Sequence, residues 1–419
     1  RGLAFTFDLL SRGDVGRDLP RIRLFVPTTA VLGTDVFDSF VGAGELQAFA
    51  LHEPDDRAIL ARFLAAPLPP EVRADLALFV ERADQPLAVR SSSLLEDSHH
   101  LPAAGVYPTH MLPNTAPTPA ERLAALEAAI KHIYAATYFA AAKAYFAATP
   151  NRVEDEKMAV VIQQIVGDRH GDVVYPHFAG VAQSHNFYPV REMKAEEGIA
   201  TVALGLGKTV VDGGRAVRFS PTHPRWLPQL SLTEDILANA QRTFWALDLT
   251  RPPDLSRPEP EAALVELGLD AAERHDTLWP VASVYVPDND AVYDGLARPG
   301  VRLVTFAPIL KHGVVPLCAT LERLLRLGTL GMSGPVEIEF AVRLRPAPLA
   351  HEFAFLQIRP LVLGAAAQAI DLDAVALGDA FIARSRALGV GRTAGWRDIV
   401  AVRRDTFDRG RTREIAADV

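Results

Sequence analysis

The period of the apolar positions changes part-way along this chain. Over the first 150 residues it is mostly helical. Leu3, Phe7 and Leu10 predict a helix over 1–12, and Thr34 before DVFDSF predicts an N-cap and a short helix. Pro67, Pro69 and Pro70 mark a break before a helix that reaches about residue 82. Thr118-Pro119-Ala120-Glu121 has the spacing of a capping box, with proline at the first helical position. Leu123, Leu126, Ile130, Ile133 and Thr137 follow at steps of three and four, so this helix is expected to run to about Thr149-Pro150. Its aromatic residues at 134, 138, 139, 145 and 146 fall at helical spacing and read as core. Only RIRLFV (21–26) and LAVR (87–90) read as strands here.

From Lys157 onward the runs become β-rich. MAVVIQQIV (158–166) is a continuous β-rich run, in the manner of a strand buried on both faces. GVAQSHNFY (180–188), ATVALG (200–205), AVRFS (216–220) and VASVYV (281–286) continue the pattern. DILANAQRTFWALDL (235–249) is predicted as helix, RPPDLSRPEPE (251–261) as a proline-rich surface linker, and 316–328 as a Leu-rich helix stopped by Gly331 to Gly334. VEIEFAV (336–342) and FAFLQIR (353–359) read as two strands joined by an irregular loop. The tail from 370 is helical and charged. The organisation expected is a helix-rich subdomain over 1–150, a sheet-rich one over 151–365 with an insert at about 231–300, and an extension over 366–419 that starts a further region.

Composition narrows the class. The chain has 419 residues, 49% of them hydrophobic and 22% charged, which suits an ordinary globular protein and excludes a disordered or collagen-like one. Cys318 is the single cysteine, so no internal disulfide can form; a reducing, cytoplasmic setting is expected. It is read as a small apolar residue at a helix start. No uncharged apolar run is long enough to span a bilayer. The net charge of −8, without a basic stripe, argues against a nucleic-acid partner. The chain opens on Arg1 with no Met, as in a piece of a longer polypeptide.

Candidate chemistry gathers in two places. Side chains alternate along a strand, so Glu337 and Glu339 share one face, as do Gln357 and Arg359 on the next strand. Ile338, Phe340, Leu356 and Ile358 fall between them and are expected to face the core. Pairing the strands would unite two carboxylates, an amide and a guanidinium. Such oxygens suit Mg²⁺, which takes one or two carboxylates and completes its shell with water and phosphates. A solvated sheet face with a cross-strand ion pair is the alternative. In AVRSSSLLED (88–97), Arg90 and the serines after it offer donors to an anion; a polar turn with an N-cap serine is the alternative. ALGLGKTVVDGG (203–214) is not a P-loop, because position 202 is Val where that motif needs Gly, and TVV reads as continued β. It reads as a glycine-rich turn between strands. The histidines show no HExxH spacing.

These segments, in this order, resemble the N-terminal nucleotide-binding domain of the phosphoenolpyruvate synthase and pyruvate phosphate dikinase family, an ATP-grasp-type domain also found in rifampin phosphotransferase. AVRSSSLLED is similar to the family's Val-Arg-Ser-Ser segment, GVYPT (105–109) to its phosphate-covering loop, and MAVVIQQIV to the strand before its adenine hinge. GVAQSHNF, ALGLGKTVVDGG and the pair VEIEFAV and FLQIRPL complete the likeness over about 88–361. The resemblance implies an α+β, ATP-grasp-like fold enclosing a nucleotide cleft. It implies Arg90 and Arg359 as phosphate-contacting catalytic residues, and Glu339 and Gln357 at the metal. Ser91, Gly105, Thr109 and Glu337 would help to bind the nucleotide, and the backbone of Gln164, Ile165 and Val166 would meet adenine. The activity implied is Mg·ATP-dependent phosphoryl transfer to a histidine on a separate acceptor domain. A non-catalytic nucleotide-binding module and a small-molecule kinase related to rifampin phosphotransferase are the alternatives. Lys208 stands where the family has Glu, and the family's Gly-Lys turn would lie upstream of Arg1.

Overall fold

The structure, a computed structural model, describes residues 19, 21–93, 106–149 and 151–361. By contact the chain divides into units 1–362 and 363–419, and every described residue lies in the first. The helices expected over 1–12 and after 370 fall outside the described residues. No helix among the described residues is long and apolar enough to cross a membrane.

Strands β1 (Ile22–Phe25) and β2 (Thr29–Leu32) precede helices α1 (Thr34–Ala43), α2 (Leu46–His52), α3 (Asp56–Ala65) and α4 (Pro70–Arg82). Strands β3 (Leu87–Ser93) and β4 (Thr109–Leu112) lead to α5 (Pro119–Ala136) and α6 (Ala140–Ala147). Then come β5 (Met158–Gln164), β6 (Asp168–His170), β7 (Val173–Tyr175), β8 (Phe178–Gln183) and β9 (Ile199–Leu204). The short helix α7 (Lys208–Val211), β10 (Val217–Phe219), α8 (Thr233–Asn239), β11 (Thr243–Asp248), β12 (Leu264–Gly268) and α9 (Leu269–Arg274) follow. The chain continues through β13 (Ala282–Val286), β14 (Ala291–Asp294), β15 (Val301–Val304), α10 (Ala307–Leu310), α11 (Leu317–Met332), β16 (Val336–Arg343) and β17 (His351–Pro360).

The fold is α+β. A six-stranded sheet runs β1-β17-β16-β8-β9-β10, and a four-stranded sheet runs β2-β5-β3-β4. Two smaller sheets, β12-β11-β7-β6 and β14-β13-β15, complete the described strands. One core packs beneath the six-stranded sheet, around Ile338, Phe340, Phe355 and the Leu face of α11. A second lies between the four-stranded sheet and α1–α6, around Phe37, Phe63, Ile130, Tyr134 and Ile162. Local sequence does not determine which sheet a strand joins. β5 pairs with β2 and β3, and β1 lies parallel to β17 at the edge of the six-stranded sheet.

The capping box forms as its spacing requires: Glu121 N–H donates to Thr118 Oγ1, and Thr118 N–H to Glu121 Oε2. The long helix is nevertheless broken after Ala136. Tyr138 stacks on Phe37 with ring centroids 6.4 Å apart and packs on Phe63, and this aromatic packing overrides helical continuity. Helix α1 starts at Thr34, with Gly33 at its cap, so the expected cap lies one residue late. The segment 235–249 is helical only to Asn239. TFWALD then extends as β11 between β12 and β7, because its aromatic and aliphatic side chains bury against neighbouring strands. TVV after Lys208 is a turn of helix rather than strand. Gly205, at φ 82, makes the turn before it; a Cβ there would sit 2.6 Å from Trp245 O. The Leu-rich helix runs through Gly331 to Met332 and stops at Ser333 in the left-handed region. Cys318 is half-buried in its first turn, and burial pushes the thiol up to about 12.

Two buried histidines tie α5 to the linker. His132 Nε2 lies 2.9 Å from Arg257 O, and His132 Nδ1 lies 3.1 Å from His110 Nε2. A carbonyl only accepts, so His132 carries its proton on Nε2 and its Nδ1 accepts from His110 Nε2–H. The His132 ring is therefore neutral. Burial lowers the pKa of His110 to about 3 and that of His132 in the same direction. The unfolded chain binds these protons first, so their contribution is full above pH 6.5 and is lost as pH falls below it. His110 alone should cost about 2 kcal/mol of stability at pH 5. The thermal midpoint should fall between pH 7 and pH 5, and His110→Asn should flatten that slope. A midpoint that is constant over this range in the unmodified protein would show that the pair takes protons without unfolding.

Candidate functional site

The site is built from the pairing of β16 with β17. Glu337 lies opposite Arg359, and Glu339 opposite Gln357. A bulge between Glu339 and Phe340 shifts the register, so Phe340 pairs with Phe355. Ile338, Phe340 and Ile358 face the core as alternation predicts. Leu356 does not. It is the extra residue at the bulge and packs with Val166, Ala179, Ala341, Ala354 and Phe25, while Phe355 takes the core position.

The two polar rungs have different partners. Arg359 Nε donates to Glu337 Oε1 at 2.7 Å, and Arg359 Nη2 reaches the same oxygen. Glu337 Oε2 accepts from Gln183 Nε2 on β8 at 2.6 Å. Glu337 is thus buried with both oxygens engaged, as an anchor for Arg359. On the next rung, Glu339 and Gln357 both face Arg90, which arrives from β3 in the other sheet. Arg90 Nη2 donates to Glu339 Oε2 at 2.9 Å and to Gln357 Oε1 at 2.5 Å. A carboxylate and an amide oxygen thereby converge on a point that is held by positive charge.

Among the described residues no group of three or more His, Cys, Asp or Glu side chains could hold a metal. One carboxylate and one amide oxygen nonetheless fit an ion that takes most of its ligands from water and phosphate, as Mg²⁺ does. Glu339 and Gln357 would hold it, with Arg90 displaced from the position between them.

The remaining residues singled out in the sequence are distributed as follows. Thr109 on β4 pairs directly with Arg90 and is exposed beside it. Ser91 pairs with Val160 and shares the helix-packed face with Val89, opposite to Arg90. Gly105 lies outside the described residues. Gln164 N–H donates to Thr28 O and Ile165 N–H to Pro86 O, so these two backbone donors are engaged. Val166 is buried in the small apolar patch that continues the Glu339 face. Lys208 lies apart from the group: its Nζ is 2.5 Å from Asp212 Oδ2 and sits over the Trp245 ring.

Sequence reasoning missed Gln183, Gln163 and Ser92. Gln183 shows itself by alternating with Val181 in GVAQ, yet its partner lies 154 residues away. Gln163 Nε2 donates to Thr29 Oγ1 at 3.1 Å and contacts Leu356 O. Ser92, two residues from Arg90, shares its face.

The two acids should respond differently to substitution. Glu337→Ala strips Arg359 and Gln183 of their acceptor and should cost about 2–3 kcal/mol. Glu339→Gln keeps volume and a hydrogen-bonding oxygen and should cost under about 1 kcal/mol. Urea unfolding of both variants measures this, and equal losses would remove the distinction between anchor and ligand.

A family profile described as "Pyruvate phosphate dikinase, AMP/ATP-binding domain" matches residues 13–374. No curated protein matches the chain. Most of the sequence, including both sheets that meet at Arg90, falls inside the family match, and the chain belongs to the pyruvate phosphate dikinase AMP/ATP-binding domain family.

Proposed function

We propose that this domain binds ATP with Mg²⁺ over the polar face of the six-stranded sheet and passes a phosphoryl group to a histidine on a separate domain. The observation that carries the reading is the convergence of Glu339 and Gln357 on Arg90, beside a floor of small apolar residues. A nucleotide needs both halves. The flat patch of Ala179, Ala341 and Ala354 suits a purine ring, and the arginines suit phosphate. With Gln164 and Ile165 N–H engaged, the adenine edge would meet their carbonyls and Val166. Arg359, held by Glu337, is a fixed phosphate contact, and Arg90 is a movable one. Thr109 and Ser91, the latter through its backbone, would flank the phosphates.

Phosphoryl transfer needs mainly positioning and charge stabilisation. Mg²⁺, when bound, would neutralise phosphate oxygens and keep the transferred group in line. Arg90 would turn from Glu339 and Gln357 to the phosphates, which frees both oxygens. In the transfer a P–O bond of ATP breaks and a P–N bond to the acceptor imidazole forms. In the reading as a dikinase-type domain, the four-stranded and the six-stranded sheet form the two walls of the cleft. Lys208 favours a second reading, a nucleotide-binding module without transfer, because it pairs with Asp212 where the family has an acid.

Calorimetry should show Mg²⁺-dependent ATP binding. Arg90→Ala should weaken ATP by roughly tenfold to a hundredfold and leave adenosine nearly unchanged, as expected for a charge-assisted contact of about 1.5–3 kcal/mol. Glu339→Gln should abolish the part of the affinity that depends on Mg²⁺. Equal losses for ATP and adenosine in Arg90→Ala would make that arginine structural and sink the reading. Transfer is followed by label passing from ATP to histidine in the full-length protein. ATP binding without labelled histidine would leave the module.

A further inference from the structure

A cavity lies away from the Arg90 group, between α5 and the linker. It measures about 580 Å³, within the usual size of small-molecule sites of about 300–1,000 Å³. Its walls are mostly small and apolar, with Leu64, Ala124, Ala125, Ala128, Pro252 and Pro253 among them. The linker is fastened over it at two points. Thr115 Oγ1 donates to Leu249 O at 3.0 Å, and His132 Nε2 donates to Arg257 O at 2.9 Å.

Two cations line this apolar space, and both are short of acceptors. Arg122 Nε is buried without a hydrogen-bond partner. Its terminal nitrogens make only long contacts, to Ala116 O at 3.4 Å and Val80 O at 3.3 Å. Lys131, nine residues further along α5, is buried and donates to Leu64 O at 3.2 Å. Among the described residues neither forms an ion pair, because the two nearby acids are engaged elsewhere. Glu127 accepts from Arg73 Nε at 2.8 Å, and Asp254 Oδ1 accepts from Ser256 N and Oγ. A buried donor without an acceptor is costly, and a guanidinium is built to take a carboxylate, sulfonate or phosphate in its plane.

We propose that this cavity is a second binding site, separate from the nucleotide cleft, for a small organic anion with an apolar body. The head group sits against Arg122, and the body lies along Ala124, Ala125 and Ala128 beneath the linker prolines. Nucleotide is a poor occupant here, because the two cations stand nine residues apart along α5 and the two acids of the lining, Glu127 and Asp254, are engaged by Arg73 and Ser256.

The probe is anilinonaphthalene sulfonate, an aromatic body with one anionic head, titrated by fluorescence into the full chain at saturating Mg·ATP so that the nucleotide cleft is filled. One saturable site is expected. Arg122→Gln and Ala125→Glu should each weaken it at least tenfold, and the uncharged analogue phenylnaphthylamine should bind at least tenfold more weakly. Ala125 is exposed, so its substitution leaves folding intact and decides the matter should Arg122→Gln fail to fold by circular dichroism. Absence of a saturable site, an unchanged affinity in Ala125→Glu, or equal affinity for the uncharged analogue would each overturn the proposal.

Discussion

Everything at the cleft depends on the register between β16 and β17. Side chains on a strand alternate, so a slip of one residue would turn Ile338 and Ile358 into the cleft and drive Glu337 and Glu339 into the core. β8 on the far side pins the same register, with Ala182 opposite Ile338 and Gly180 opposite Phe340. Gly180 leaves room for that ring, since a Cβ there would lie 2.7 Å from Phe340 and 2.6 Å from Thr201 O. The bulge after Glu339 then uncouples the two ends of the face. It lets Gln357 point up with Glu339 while Phe355 points down with Phe340. Leu356, left over at the bulge, joins the alanines. The polar rungs and the apolar floor are thus consequences of one irregularity in one strand pair.

Parity along the strands was legible in the sequence, and with it the core positions of Ile338, Phe340 and Ile358. The bulge was not, because nothing in FAFLQIR marks Leu356 as the residue without a cross-strand partner. Local signals served where local energies decide, as in the capping box at Thr118. They failed where distant packing decides. The chain leaves α5 at Ala136 because Tyr138 has Phe37 and Phe63 to pack against, and those lie far back in the sequence. TFWALD becomes strand because β7 and β12 wait on either side. β5 reads as the start of a sheet-rich half, yet its partners β2 and β3 belong to the helix-rich one.

The site was legible in the same measure. Glu339, Gln357 and Arg90 come from segments about 250 residues apart, and the likeness to a family named them before any geometry did. Alternation alone separates Arg90 from Ser91 and groups it with Ser92, a distinction that a run of three serines conceals. The surroundings of Glu337 were hidden for a similar reason. Its sequence neighbourhood matches that of Glu339, but Gln183 and Arg359 take both of its oxygens. Two acids two residues apart on one face thus differ in chemistry because of what the adjacent strands bring to each.

Arg90 gives the cleft its electrostatic logic. Glu339 is partly buried, at 21% side-chain exposure, and faces the opposite sheet. Without a counter-charge its carboxylate would bear a desolvation penalty with nothing to offset it. The guanidinium supplies that charge and at the same time ties β3 to β16 and β17, so the same contact neutralises the acid and joins the two sheets. In the proposed function it is also the contact that would be exchanged. Phosphate offers a guanidinium more negative charge than one carboxylate and one amide, and a divalent cation offers Glu339 more positive charge than one arginine. In the proposed function an incoming metal–phosphate pair would therefore satisfy both partners better than they satisfy each other. Charge remains balanced at each stage, and neither group has to be exposed alone. Arg359 has no such freedom, because Glu337 is closed in by Gln183 on its other oxygen. In the proposed function, one arginine that can be released, beside one that cannot, would give the cleft a moving contact and a fixed reference on adjacent rungs of β16 and β17.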